Sequence, residues 1–366
     1  MTPAPGLASW LQLTLTPGLG AATLRRLLSQ FGLPENVLAA QRADLARIAG
    51  AQALQALDSD VVAKAVEKAL AWLEGPGHAL VTLADAAYPR LLLETADPPA
   101  LLYCRGRTEL LNRPALAVVG SRNASAQGAS NAEQFARSFS AAGLTIVSGL
   151  AQGIDAAAHR GGLAAQGSTI AVLGTGVDLS YPRSNHALAE DIAARGLLIS
   201  EFPLGTQALA HNFPRRNRLI SGLAQGCLVI EAALASGSLI TARSAAEQGR
   251  EVFAVPGSIH SPLSKGCHGL IKSGAKLVES AEDVLSELAA FRRTGFASTR
   301  APAAAASPAG DAGEPLLAHM GFDPVDVDSL CARAGLPAER VAAELLRLEL
   351  AGRIAVLPGG LYQRLN

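Results

Sequence analysis

Between about residue 80 and residue 288 the chain alternates short apolar, often β-branched runs with Ala-rich stretches of helix length. Runs at 115–119, 145–147, 169–173, 197–199, 227–230 and 252–255 have the length of strands, and the stretches at 126–142, 155–165, 185–194 and 241–249 have the length of helices. Few architectures accept that order. It predicts an α/β fold, an extended Rossmann-like, doubly wound and mostly parallel sheet with helices on both faces. The strands are continuous apolar runs, as strands buried on both faces must be. Residues 76–290 are therefore expected to form one domain, and the segment from about 78 to 290 is expected to fold by itself.

The flanks read differently. Residues 1–75 carry apolar residues at helical spacing (Leu24, Leu27, Leu28; Val61, Val62, Ala65) with breaks at Pro17-Gly18, Gly32 and Pro34, which describes a small helical domain. Its Gly18-Leu19-Gly20 turn before a helix is similar to a helix-hairpin-helix, which presents backbone N–H groups to a phosphate; a SAM-like packing module is the alternative. Residues 291–313 are rich in Ala, Pro, Ser and Gly and are expected to be a flexible linker. Residues 314–366 follow the winged-helix order: helices at 325–334 and 337–351, then strands at 353–357 and 361–365 about a Pro-Gly-Gly turn. Its second helix mixes Glu339, Glu344 and Glu349 with Arg340 and Arg347, which favours protein contact over DNA.

Thirty-one basic residues balance thirty-one acidic ones, so bulk electrostatics cannot coat this chain onto nucleic acid. Any such site is a local patch. Residues 202–230 contain no acid while Arg215, Arg216 and Arg218 fall close together, a cluster that by itself also suits a solvated loop. The four cysteines lie far apart, so neither a disulfide framework nor a metal site is expected. No apolar run has membrane-spanning length and no basic, apolar leader opens the chain, so a cytoplasmic location is expected.

In an open α/β sheet, ligands bind beyond the carboxyl ends of the strands. Three such loops are Gly-rich and lead toward helix starts: Gly120-Ser121-Arg122, Ser148-Gly149 through Gly153-Ile154-Asp155, and Gly174-Thr175-Gly176. Three in register describe a phosphate-binding surface. None completes Gly-x-Gly-x-x-Gly with an acid about twenty positions on, so no dinucleotide cofactor is implied. Asp155 and His159 share a helix face, but a capping Asp155 with His159 packed beneath the loops is favoured over catalysis.

Taken together, Val118-Val119-Gly120-Ser121-Arg122, Ser148-Gly149-Leu150-Ala151-Gln152-Gly153-Ile154-Asp155, Tyr181-Pro182-Arg183-Ser184-Asn185, Ser200-Glu201-Phe202-Pro203, Phe213-Pro214-Arg215-Arg216-Asn217-Arg218 and Ser236-Gly237-Ser238 closely resemble the DNA-processing protein A (DprA/Smf) family. The resemblance implies a protein without catalytic activity or cofactor that binds single-stranded DNA, pairs with itself as a homodimer, and loads RecA recombinase during natural transformation. By position it implies a nucleic-acid site of Gly120, Ser121, Arg122, Ser148, Gly149, Arg183, Phe213, Arg215, Arg216, Asn217, Arg218, Ser236, Gly237 and Ser238. Phe213 and the three arginines would form a basic loop. Gly120 would let the backbone approach phosphate, Arg122 offers a planar fork to it, and Phe213 either stacks on a base or fills space beneath Pro214. The sheet is also similar to the phosphoribohydrolases that activate cytokinins, whose signature is Pro-Gly-Gly-x-Gly-Thr-x-x-Glu. Here Ser244 stands at the place of the catalytic Glu, with Glu231 and Glu247 displaced, so nucleotide hydrolysis is the alternative function.

Overall fold

The computed structural model describes residues 6–295 and 315–365. Its main sheet has nine strands: β1 (His78–Thr82), β2 (Leu101–Gly106), β3 (Ala115–Val119), β4 (Thr145–Ser148), β5 (Thr169–Val172), β6 (Leu197–Ser200), β7 (Gly226–Val229), β8 (Glu251–Ala254) and β9 (Lys276–Leu277). They lie in the order β1-β2-β6-β5-β4-β3-β7-β8-β9. Pairing is parallel from β6 across to β9, while β2 joins β6, and β1 joins β2, antiparallel. The chain builds outward from β3 to β6 on one side, then crosses back through the helix Asn212–Gly222 to β7 on the other. The topological switch point therefore falls between β3 and β7. Their carboxyl ends open the crevice in which ligands of doubly wound sheets sit.

Successive residues of β3 face opposite layers. Ala115, Ala117 and Val119 join a core with Leu219 and Ile220 of the crossover helix and Ala242 of the helix Ser238–Glu247. Leu116 and Val118 face Ala132, Ala136 and Phe139 of the helix Ala126–Ala141 and Ile154 and Ala157 of the helix Ile154–Leu163.

On that second face the helical domain takes over above β5, β6 and β2. Leu11, Leu13, Leu27, Val37 and Leu57 belong to one buried cluster with Leu101, Tyr103, Leu150, Ala171, Leu173 and Leu198. Trp72 meets Tyr103 edge-on at 6.0 Å. The helical segment is thus part of the sheet's covering, a contact that the alternation along residues 78–290 did not suggest.

The tail folds as expected: the helices Val327–Ala334 and Ala338–Leu350 with a three-stranded sheet of β10 (Val325–Asp326), β12 (Leu361–Arg364) and β11 (Ile354–Leu357). The proposed linker is shorter at its start than composition implied. The helix Ala281–Gly295 runs through residues 291–295, and 296–313 lie outside the described residues. No helix among the described residues is long and apolar enough to cross a membrane.

Candidate nucleic-acid interface

A cleft of about 790 Å³ opens at the switch point. Of the residues singled out in the sequence, Gly120, Ser121, Arg122, Phe213, Arg216, Asn217, Ser236, Gly237 and Ser238 line it. Gly149 borders a smaller pocket of about 70 Å³ beside it, shared with Arg122 and Phe213. Ser148, Arg183, Arg215 and Arg218 line neither.

At the mouth, Arg122 is exposed and its guanidinium carbon stands 5.5 Å from the centre of the Phe213 ring. Phe213 in turn tilts against Tyr181 at 5.6 Å, and Tyr181 is 46% exposed. Arg183, also exposed, follows two residues later. Neither Arg122 nor Arg183 has an acidic partner among the described residues. An exposed cation, a half-buried ring and an exposed ring are thus presented together. Across the cleft, Ser236 and Ser238 share a 2.7 Å hydrogen bond at the start of the helix Ser238–Glu247, and Asn217 donates to the Gly237 carbonyl at 3.3 Å. The Ser121 hydroxyl accepts from the Asn123 N–H at 3.2 Å, which curls the loop under Arg122.

Beneath the mouth the structure corrects the sequence reading. Arg216 is 4% exposed and donates to the carbonyls of Gly149 and Val172, beside the Asp155 carboxylate. Burial pulls its pKa down to about 10, opposed by Asp155, so it stays charged at neutral pH. Asp155 does not cap its helix. Its Oδ2 accepts from the N–H groups of Gly149 and Ala151, and burial raises its pKa against the pull of Arg216. Ser148 is fully buried, its hydroxyl donating to the Val118 carbonyl at 2.7 Å. Arg216 therefore forms the floor of the cleft, with Ser148 and Gly149 packed beneath and beside it, and Gly149 has no room for a Cβ, which would stand 2.5 Å from the Arg216 guanidinium.

His159 completes this floor. Thr169 donates its hydroxyl proton to the Ile146 carbonyl, so it accepts from His159 Nδ1 at 2.7 Å, while Nε2 accepts from the Leu150 N–H at 3.2 Å. The ring is neutral, and it pins Leu150 at a left-handed φ of 57°. Burial, with Arg216 and Arg160 nearby, drives the His159 pKa from 6.5 to about 3. The folded protein then excludes a proton that the unfolded chain takes up below about 6.5. Stability is expected to fall as pH drops from 6.5 toward 3, and His159→Asn should remove that part of the slope. Asp155, with its raised pKa, acts in the opposite sense, so the comparison of chemical denaturation between wild type and His159→Asn is what isolates the ring. Equal pH slopes in the two proteins would show that His159 is protonated in the fold.

Gly120 also has a packing cause. A Cβ there would meet Ile154 Cγ1 at 2.6 Å and the Glu231 carbonyl at 2.9 Å, so it is needed under the cleft, whatever approaches from above. Gly153 has φ 74°, and a Cβ on it would fall 2.3 Å from the Ser121 carbonyl.

The basic segment is not a loop. Phe213, Arg215, Arg216, Asn217 and Arg218 lie on the helix Asn212–Gly222, which spreads the arginines over different surfaces. Arg215 and Arg218 turn away from the cleft to Glu201, whose side chain is 3% exposed. Tyr181 joins the cleft and Glu201 anchors the far side of the helix, roles that their places in Tyr181-Pro182-Arg183 and Ser200-Glu201-Phe202 did not signal. The acids nearest to a hydrolase signature are placed elsewhere: Glu231 accepts from the N–H and hydroxyl of Ser125 at the start of the helix Ala126–Ala141, and Glu247 is exposed at the end of its helix.

A doubly wound sheet with an Arg-bearing cleft at its switch point, a helical domain on one face and a winged-helix tail defines a Rossmann-like protein with a cationic ligand cleft and two accessory modules. Residues 79–289 match the family model of the DNA recombination-mediator protein A, and residues 300–360 match the DprA winged helix domain. The chain belongs to that DprA/Smf family. Protein Smf of Escherichia coli (strain K12) is 46% identical over 312 residues, 83% of this chain and 82% of that protein. The X-ray structure of DNA processing protein A from Streptococcus pneumoniae aligns with a TM-score of 0.68 at 41% identity, over 78% of this chain and 99% of that one. DNA processing protein A from Helicobacter pylori, whose structure is described in terms of a single-stranded DNA binding mode, aligns at 0.53 with 30% identity, over 58% of this chain and 96% of that one.

Proposed function

We propose that this chain binds single-stranded DNA in the switch-point cleft and, as a cytoplasmic homodimer without catalysis of its own, loads RecA recombinase onto the strand during natural transformation. One observation carries the binding: Arg122 lies over Phe213 next to the accessible Tyr181 ring, so a phosphate-pairing cation and base-stacking surfaces face the same opening. Unpaired bases have free faces for such rings, whereas paired bases keep theirs inside the duplex. The described binding mode of the Helicobacter pylori relative supports the same ligand. RecA loading, pairing and transformation rest on family membership.

The test compares binding of single-stranded and duplex oligonucleotides at two salt concentrations, with turnover of nucleoside monophosphates followed alongside. Wild type should prefer single strands and release no base or ribose phosphate. Arg122→Ala should weaken binding of all sequences and reduce the slope of log affinity against log salt by about 0.7, one phosphate contact. Phe213→Ala should cost about 1–3 kcal/mol of affinity with the slope nearly unchanged. An Arg122→Ala protein with wild-type affinity and slope would move the strand out of this cleft.

A further inference from the structure

The helical domain reaches the helix that carries Phe213 through a line of five alternating charges. Arg25, on the helix Ala21–Phe31, pairs with Asp97 Oδ1. Asp97 Oδ2 lies 3.6 Å from Arg218 Nε, and the Asp97 carbonyl accepts from Arg218 Nη1. Arg218 Nη2 donates to Glu201 Oε2, and Glu201 also holds Arg215, its two oxygens 3.4 Å from Arg215 Nε and Nη2. Arg215 is further seated over the Phe202 ring at 5.3 Å. These partners come from the helical domain, the loop before β2, the end of β6 and the back of the crossover helix. The front of the same helix carries Phe213 and Asn217 into the cleft.

Glu201 is almost wholly buried, and burial raises its pKa against the opposing effect of Arg218. A buried carboxylate with two guanidinium groups resists rotation of the helix about its axis, since any turn separates charges in a poorly solvated place. From this we infer that Arg25, Asp97 and Glu201 are positioning residues for strand binding: they fix the rotation of the helix Asn212–Gly222, and through it the placement of Phe213 and Asn217. The helical domain, far from the cleft, then sets the cleft's affinity. The inference rests on the strand-binding reading above.

The test uses the full chain and a fluorescent oligothymidine, read by anisotropy at two salt concentrations. Arg25→Ala and Glu201→Gln should each weaken binding about fivefold with the salt slope unchanged, because no phosphate contact is lost. Arg25→Lys, which keeps the charge, should restore most of the affinity. In a Phe213→Ala background the Arg25→Ala effect should shrink to the part carried by Asn217, since the ring it positions is gone; a merely structural contribution would add in full instead. Unchanged affinity overturns the inference. So does tighter binding with a steeper slope in Glu201→Gln, which would mean that Glu201 only competes with phosphate for Arg215. If Glu201→Gln fails to fold, Arg25→Ala and Arg25→Lys decide alone. A wild-type chain that ignores oligothymidine denies the strand-binding reading itself, a separate result seen before any variant is compared.

Discussion

A chain cut to residues 76–290 is expected to emerge aggregated or as an expanded, dye-binding state, although the cut removes no strand of the main sheet. The helices up to residue 73 cover Leu101, Tyr103, Leu173 and Leu198, all buried in one cluster with Leu11, Leu13 and Leu27. Uncovering a buried side chain of that size costs roughly 1.5–3 kcal/mol. Four of them approach the whole stability of an ordinary domain, about 5–15 kcal/mol. The exposed face is also contiguous, which favours association between chains. Size-exclusion chromatography and thermal melting of the fragment would check this. A monodisperse fragment melting cooperatively at the full-length temperature would show that the two cores are independent.

Replacing Arg216 by methionine should be the most damaging single change on the basic helix, and by a different route from any change at Arg122. The guanidinium serves the Gly149 and Val172 carbonyls and neutralises the buried Asp155 carboxylate. Methionine has similar bulk but leaves two carbonyls without a donor and one buried charge without a partner. Breaking such an arrangement costs about 3–5 kcal/mol. In a domain of this size that lowers the melting temperature by roughly 10 °C. Strand binding should fall as well, because the 149–151 loop loses its anchor. Arg122→Ala should weaken binding with the melting temperature intact, so the two variants separate floor from surface. An Arg216→Met protein that melts like wild type and loses one phosphate contact from its salt slope would put Arg216 back among the residues that touch DNA.

Much of this was legible in the sequence, because it depends on local pattern. The apolar runs at 115–119, 227–230 and 252–255 became β3, β7 and β8 to within a residue or two, since a strand buried on both faces cannot hide its apolar run. The Gly-rich loops after β3 and β4 met at the switch point because chain order in a doubly wound sheet dictates where strand ends lie. Arg122 and Phe213 came together as the motifs implied.

Other features were decided only in three dimensions. Arg215, Arg216 and Arg218 look alike in sequence, but a helix turns about 100° per residue and sends neighbours to different surfaces. Which surface meets the cleft depends on how Leu219 and Ile220 seat the helix on the sheet, information that no run of residues 213–218 contains. The pairing of Arg25 with Asp97, 72 positions apart, has no local signal at all. The sequence by itself determined which residues are apolar enough to be buried and where the chain turns, including that residues 7–74 are helical. What those residues are buried against, and so whether the helical segment stands apart or completes the sheet, only the tertiary structure decided, because hydrophobic burial is non-directional and specifies removal from water without naming a partner.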